Sequence, residues 1–405
     1  MLSDLDSQMR RKRIQAIVVI GDTTLANPDL TYVAGGALPR GGVYFKRVGE
    51  RPLLVVSNLD VGNARKLGRV RRINTYTDWG FEKLARKYGR QSALPHLIAA
   101  VLRTERTKGR VGIYGRNDLA FGINLADQLK KLGISATGES SPTVLEAARE
   151  TKEHFETNEL RRVSRKTSRI VRAAMDALRN MNRKRGRIFI KNKLATVASV
   201  KRMISHMLAE EGLTAPEGTI FAIGARSADP HNAGDPADEI KEKRLIVFDI
   251  FPQAESGYWS DVTRTFVLGR ADEKSRRLFE TVCEAQAGSL DFLRAGVTGE
   301  VAMSRACDII ERRGYRTVRD VFKGTATSVT SGFTHSLGHG VGLTIGERPY
   351  LSFLSRDRLK AGQVVTVEPG VYVPGFGGVR IEDTVVITPR GIDNLVNVPK
   401  EFELT

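Results

Sequence analysis

The chain has little of what would staple or anchor it. Two cysteines, Cys283 and Cys307, stand among 405 residues, too few for a disulfide framework; both fall in helix-like segments and read as reduced core thiols, which suits a cytoplasmic setting. Long hydrophobic runs are missing. The apolar stretch 16–20 is too short for a signal segment, and no run is long enough to span a bilayer, so no membrane association is expected. No aromatic-interleaved basic patch and no zinc-finger spacing accompany the formal net charge of +18. The basic residues are instead spread in clusters at 10–13, 65–72 and 161–172, which favours a solvated, ion-paired surface over a nucleic-acid partner.

What is present concentrates in the C-terminal half. The runs 245–251 and 258–268 are β-rich, each carries one carboxylate, and the segment between them, Pro252-Gln253-Ala254-Glu255-Ser256-Gly257, has turn chemistry. Two antiparallel strands follow, and mirroring them about Glu255 puts Asp249 opposite Asp261. Two carboxylates in a low-dielectric place repel: either one holds a proton, or cations hold both. Further on, His339 lies in Gly338-His339-Gly340-Val341-Gly342, Glu368 ends the β-like run 364–367, and Glu382 precedes the run 385–388. One such embedded acid is ordinarily a hydrogen-bonded core group. Five in order at the ends of successive strands suit two divalent cations sharing bridging carboxylates.

The order Asp…Asp-x-Thr-Arg-Thr…Gly-His-Gly-x-Gly-Leu…Glu-Pro-Gly…Arg-Ile-Glu-Asp resembles the dinuclear metallopeptidases of the pita-bread fold, which include methionine aminopeptidase, Xaa-Pro aminopeptidase and Xaa-Pro dipeptidase (prolidase); creatinase shares the fold without the metals. The resemblance implies an α+β catalytic domain of two pseudo-repeated α-β-β halves. It implies Asp249 on one metal, Asp261 and Glu382 bridging, and His339 with Glu368 completing the second. The cations would be Mn²⁺, Co²⁺, Fe²⁺ or Zn²⁺, two per subunit. A hydroxide held between them would attack the scissile carbonyl while Glu368 carries the proton to the leaving amine. His231 matches a substrate-side histidine, and His335 is a second candidate. Thr263 and Arg264 are expected to orient Asp261 or neighbouring strands, and Arg380 to steady Glu382 or the substrate's acidic end.

At this length two domains are expected. Residues 1–142 alternate strands and helices: strands at 14–20, 30–33 and 110–114, a hairpin from 42–46 and 52–57, and helices at 94–103 and 119–132. This α/β segment has no catalytic constellation and resembles the N-terminal domain of prolidase, aminopeptidase P and creatinase. Plain methionine aminopeptidases lack it, which turns the reading toward Xaa-Pro enzymes. Residues 143–405 form the catalytic domain, with helices at 143–181, 195–211, 274–293 and 299–314.

Two features depart from the family pattern. The loop from Asp249 to Asp261 is one residue longer and carries Phe251-Pro252 where a small pair is common. Gly346 stands where a substrate-binding histidine is usual, and the loss of such a donor typically costs about 10²–10³ in turnover unless His335, His231 or Glu347 compensates. The resemblance implies metal-dependent hydrolysis of the bond between an N-terminal residue and proline, on small peptides with proline second, by a homodimer. The alternatives are another small C–N bond substrate on the same cage, or a binding protein reusing the fold.

Overall fold

The computed structural model describes residues 2, 4–24, 26–36 and 38–405. The chain divides into two compact units, Met1–Arg149 and Glu150–Thr405. The short helix Val144–Arg149 therefore belongs to the first unit, and the division expected after residue 142 is drawn earlier than the compact one.

The first unit is built on a six-stranded mixed sheet, in the order Arg72–Thr75, Leu53–Val56, Gly42–Arg47, Ala16–Gly21, Val111–Tyr114, Ala136–Thr137. The hairpin of Gly42–Arg47 with Leu53–Val56 is antiparallel, as the sequence indicates. Val18, Phe45 and Val55 from the sheet pack with Leu97, Val101 and Leu129 from the helices Arg90–Thr104 and Leu119–Lys131 in one core. The strand expected at 30–33 is instead a helix, Pro28–Ala34. Asn27 accepts a hydrogen bond from the Leu30 amide at 3.1 Å, and Pro28 supplies a helical φ at the first turn. An N-cap followed by proline outweighs the β-branched composition of so short a stretch.

The second unit carries two sheets. One has the order Thr219–Ile223, Ile246–Ile250, Val262–Leu268, Glu403–Leu404. The other runs Ile345–Leu351, Gly338–Val341, Val364–Val367, Asp383–Ile387, Ile392–Asn394. Helices precede and follow the first sheet. His154–Arg179 starts with a capping box between Glu153 and Glu156, and Val197–Glu210 starts with another between Thr196 and Ser199. Glu273–Phe292 and Gly299–Arg312 then lead to the second sheet. Val282 and Ile310 from these two helices meet Val365, Val367 and Val385 in a single core.

The hairpin register differs from the mirrored expectation. Asp249 pairs with Thr263, not Asp261, and Ile250 pairs with Val262. The cause is the turn: Gln253–Ala254 forms its own short pairing with Leu213–Thr214, so the connection is not symmetric about Glu255. Asp261 sits two residues before Thr263, hence on the same face as Asp249 by the period-two pleat, and the carboxylates still converge.

Candidate active site

A cavity of ≈ 580 Å³ lies in the second unit, and Asp249, Asp261, Glu368 and Glu382 all line it. His231, His335, His339 and Arg380 line it as well. Thr263 and Arg264 stand behind this wall, buried.

Each acid is placed by its strand. Glu368 follows Val364–Val367, and its amide is anchored on the Leu337 carbonyl at 2.8 Å. His339 lies in Gly338–Val341, its amide held by Thr366 Oγ1 at 3.0 Å. Thr366 Oγ1 also reaches Glu368 Oε1 at 3.2 Å. The alternation Thr366, Glu368 on one strand face was a sequence signal for this contact, and it was missed. Glu382 precedes Asp383–Ile387; Thr263 donates to its Oε2 at 2.7 Å, and its amide binds the Thr263 carbonyl at 3.1 Å. Of the two expected targets, Asp261 or a neighbouring strand, Thr263 takes the second: it bonds Glu382, at the start of Asp383–Ile387.

The ligand atoms of Asp261, His339 and Glu382 lie within 4.8 Å of one another. His339 Nε2 is 3.6 Å from Asp261 Oδ2 and 3.4 Å from Glu368 Oε1. Its Nδ1 donates to the Gly340 carbonyl at 3.2 Å, which leaves Nε2 as the ring nitrogen turned toward the acids. Burial, then the charges of Glu382, Asp249 and Glu368, push the Asp261 carboxyl well above the usual carboxylate range. Burial, then Glu368 and Asp249, do the same to Glu382. Burial lifts Glu368 to about 8 against the opposing charge of Arg380. Two oxygens in this cluster, Asp249 Oδ1 and Glu382 Oε1, are buried without a hydrogen-bond partner among the described residues. Buried carboxyl oxygens without partners, beside an imidazole nitrogen, are what a divalent cation satisfies, so the residues fit the metal that the sequence implies.

Arg380 corrects a second expectation. Its Nη2 donates to Asp249 Oδ2 at 2.6 Å, and its Nη1 donates to the Tyr372 hydroxyl at 2.8 Å and the Pro230 carbonyl at 3.2 Å. It steadies Asp249, not Glu382. Tyr372, which no sequence feature singled out, in turn lies 2.9 Å from His335 Nε2, while His335 Nδ1 faces the Ser336 carbonyl at 2.8 Å. Both ring nitrogens of His335 are therefore engaged by the protein. Burial and Arg380 hold that imidazole down at about 3, so it stays neutral. His231 is exposed at the cavity rim.

The Gly346 position is a backbone matter as well as a missing donor. Its φ is +75°, where a histidine would be strained. Glu347 beside it is tied to Lys152 Nζ at 2.5 Å and to Thr344 Oγ1 at 3.0 Å. It is not free to replace a substrate-binding histidine.

A pH prediction follows for metal-free protein. Glu368 has a folded pKa of about 8, raised above its unfolded value, so the native state binds that proton more tightly. The stability it contributes is complete below the unfolded pKa, near 4.3, and is lost as pH rises through the folded one. Asp261 and Glu382 shift in the same direction. Thermal unfolding of chelator-treated protein is expected to drop by several degrees between about pH 5 and pH 8.5, and metal-loaded protein to stay flatter. Equal slopes for the two forms would contradict the cation fit.

The profile of metallopeptidase family M24 matches residues 158–389. The chain is 28% identical over 395 residues to the Xaa-Pro dipeptidase of Pyrococcus horikoshii, covering 97% of this chain and 96% of that protein. It is 38% identical over 204 residues to the Xaa-Pro dipeptidase of Pyrococcus furiosus, a match spanning 50% of this chain and about half, 54%, of that relative. The crystal structure of the prolidase from Pyrococcus horikoshii OT3 superposes with a TM-score of 0.74 at 26% identity, covering 99% of each chain.

Proposed function

The chain belongs to metallopeptidase family M24, a metal-dependent hydrolase on the pita-bread fold, and from that premise we propose that it cleaves the bond between an N-terminal residue and proline. The reading is carried by one observation: three buried carboxylates, the half-buried Glu368 and the Nε2 of His339 converge on one cavity, with Asp249 Oδ1 and Glu382 Oε1 left without hydrogen-bond partners among the described residues.

Asp249, Asp261, His339, Glu368 and Glu382 would hold a pair of divalent cations, and this oxygen-rich set suits Mn²⁺, Co²⁺ or Fe²⁺ at least as well as Zn²⁺. When bound, such a pair polarises a carbonyl and brings the pKa of a water toward neutrality. The protein's own residues do the rest. Glu368 accepts the proton of the attacking water and delivers it to the proline nitrogen as the bond breaks. His231, at the rim, is placed to donate to the substrate, the role that Gly346 leaves vacant. Arg380 donates to Asp249 Oδ2 and holds that carboxylate in place. Ile220, Phe251 and Ile345 give the cavity an apolar side suited to a pyrrolidine ring.

The test is hydrolysis of Ala-Pro and Ala-Pro-Ala by chelator-stripped protein with and without Mn²⁺ or Co²⁺. Metal-dependent release of alanine is expected. Two metals bound per chain with neither peptide cleaved would favour a different small C–N substrate, the reading that the Gly346 backbone also supports.

A further inference from the structure

Lys201 lies on the helix Val197–Glu210, just past its N-terminal turn, and lines the same cavity as Asp249, Glu368 and Arg380. Its ammonium makes no hydrogen bond or ion pair among the described residues. That sets it apart from other half-buried cations of this unit: Arg183 pairs with Glu242, Arg319 with Asp308 and Arg161 with Asp393. Glu217, the other charge on that wall, is exposed and not paired with it. Burial alone acts on the lysine, lowering its pKa. A cation partly stripped of water, with no anion supplied by the protein, is an arrangement that a bound anion relieves.

The position indicates which anion. Lys201 lines the cavity together with Thr219 and Ile220, its helix packs against their strand Thr219–Ile223, and Ile220 is the strand partner of Asp249. Adjacent strands are about 4.8 Å apart, and one peptide residue spans about 3.5 Å. A carboxylate one residue beyond the scissile bond is within reach of that wall. Arg380, the other cation of the cavity, is already committed to Asp249 and Tyr372.

We infer that Lys201 holds the C-terminal carboxylate of the substrate, which makes the site a reader of dipeptides that end at the residue after the cleaved bond. This rests on the peptidase reading above. An acidic side chain offers the same carboxylate chemistry, and the test separates the two sources.

Ala-Pro, Ala-Pro-amide, Ala-Pro-Ala and Ala-Pro-Asp-amide are compared on Mn²⁺-loaded wild type, Lys201→Met and Lys201→Arg. The wild type is expected to prefer Ala-Pro over its amide by about 10- to 100-fold in kcat/KM, mostly through KM. Lys201→Met should shrink that ratio to a few-fold, and Lys201→Arg should restore most of it. An equal loss on all four peptides in Lys201→Met would show a merely structural lysine and overturn the assignment. A Lys201-dependent preference for Ala-Pro-Asp-amide without one for Ala-Pro would overturn the terminal carboxylate in favour of a side chain. Calorimetry with an Ala-Pro analogue whose scissile carbonyl is reduced to methylene, as free acid and as amide, gives the same comparison without turnover. If no peptide is cleaved, the peptidase reading fails. Tighter binding of the free acid that vanishes in Lys201→Met still supports the anchor, and equal binding of acid and amide by wild type overturns it.

Discussion

Turnover of Ala-Pro by the metal-loaded protein falls about 10³-fold when Glu368 becomes glutamine, the middle of the range for losing a positioned proton carrier. Glutamine keeps the volume, the amide anchored on Leu337 and an oxygen for Thr366 Oγ1 to meet. It cannot take a proton. The elevated pKa of Glu368, about 8 from burial, marks a carboxyl for which gaining and losing a proton are closely balanced near neutrality. Among the acids of the cluster its neighbours differ in kind. Asp249 is paired to Arg380, and Glu382 is bonded by Thr263. Glu368 meets only the weaker donor Thr366 and the imidazole of His339. Elemental analysis separates this effect from metal loss, since Asp261→Ala should lower the metal content per chain and Glu368→Gln should lower it much less. Activity of Glu368→Gln within ten-fold of wild type, with metal retained, would remove Glu368 from the proton path.

How far the sequence reaches is visible at individual residues. The set Asp249, Asp261, His339, Glu368 and Glu382 was legible because each acid or imidazole interrupts or ends an apolar run, and the cavity brings all five to one wall. Their pairwise contacts were not. Asp249 faces Thr263 because a short strand inside the turn, Gln253–Ala254, is recruited by Leu213–Thr214, a pairing no local pattern announces. The Arg380–Asp249 bond joins residues 131 apart in sequence, and Tyr372 braces it from Gly370–Val373, the strand paired with the one that carries Arg380. In the first unit, the 30–33 stretch was composed like a strand and folded as a helix because the deciding signal was its cap, Asn27 with Pro28. Lys201 was invisible for another reason. A lysine on an amphipathic helix is unremarkable until the fold leaves it facing a cavity without an anion.

Arg264→Met should lower the free energy of unfolding by about 3–5 kcal/mol, the range for removing one member of a buried, hydrogen-bonded ion pair. The side chain is 1% exposed. Its Nη2 donates to Asp383 Oδ1 and to the Val398 carbonyl, both at 2.7 Å; its Nη1 donates to the Glu382 carbonyl at 2.6 Å and to the Thr263 carbonyl at 2.8 Å. Burial pushes the Asp383 carboxyl up, and Arg264 with Lys400 outweighs it, so the acid is held below its usual range. Methionine fills much of the volume and leaves that carboxylate with Lys400 and Asn394 alone. It also leaves several main-chain carbonyls without donors. Replacing Asp383 by leucine in the same chain should recover part of the loss, because the uncompensated buried charge is then gone. The consequence reaches the active site through the backbone. Arg264 grips the Glu382 carbonyl, and Thr263, its chain neighbour, bonds the Glu382 carboxylate. Arg264→Met should therefore weaken metal binding as well as folding, while a core change outside this network, such as Leu97→Ala in the core of the first unit, should cost stability with metal affinity unchanged. Denaturant titration and metal titration on the same samples read both effects. A loss of stability below 1 kcal/mol would mean that the buried pair contributes little beyond its own desolvation cost. A large loss with unaltered metal affinity would mean that Glu382 is held by Thr263 and its own strand pairing, with no help from Arg264.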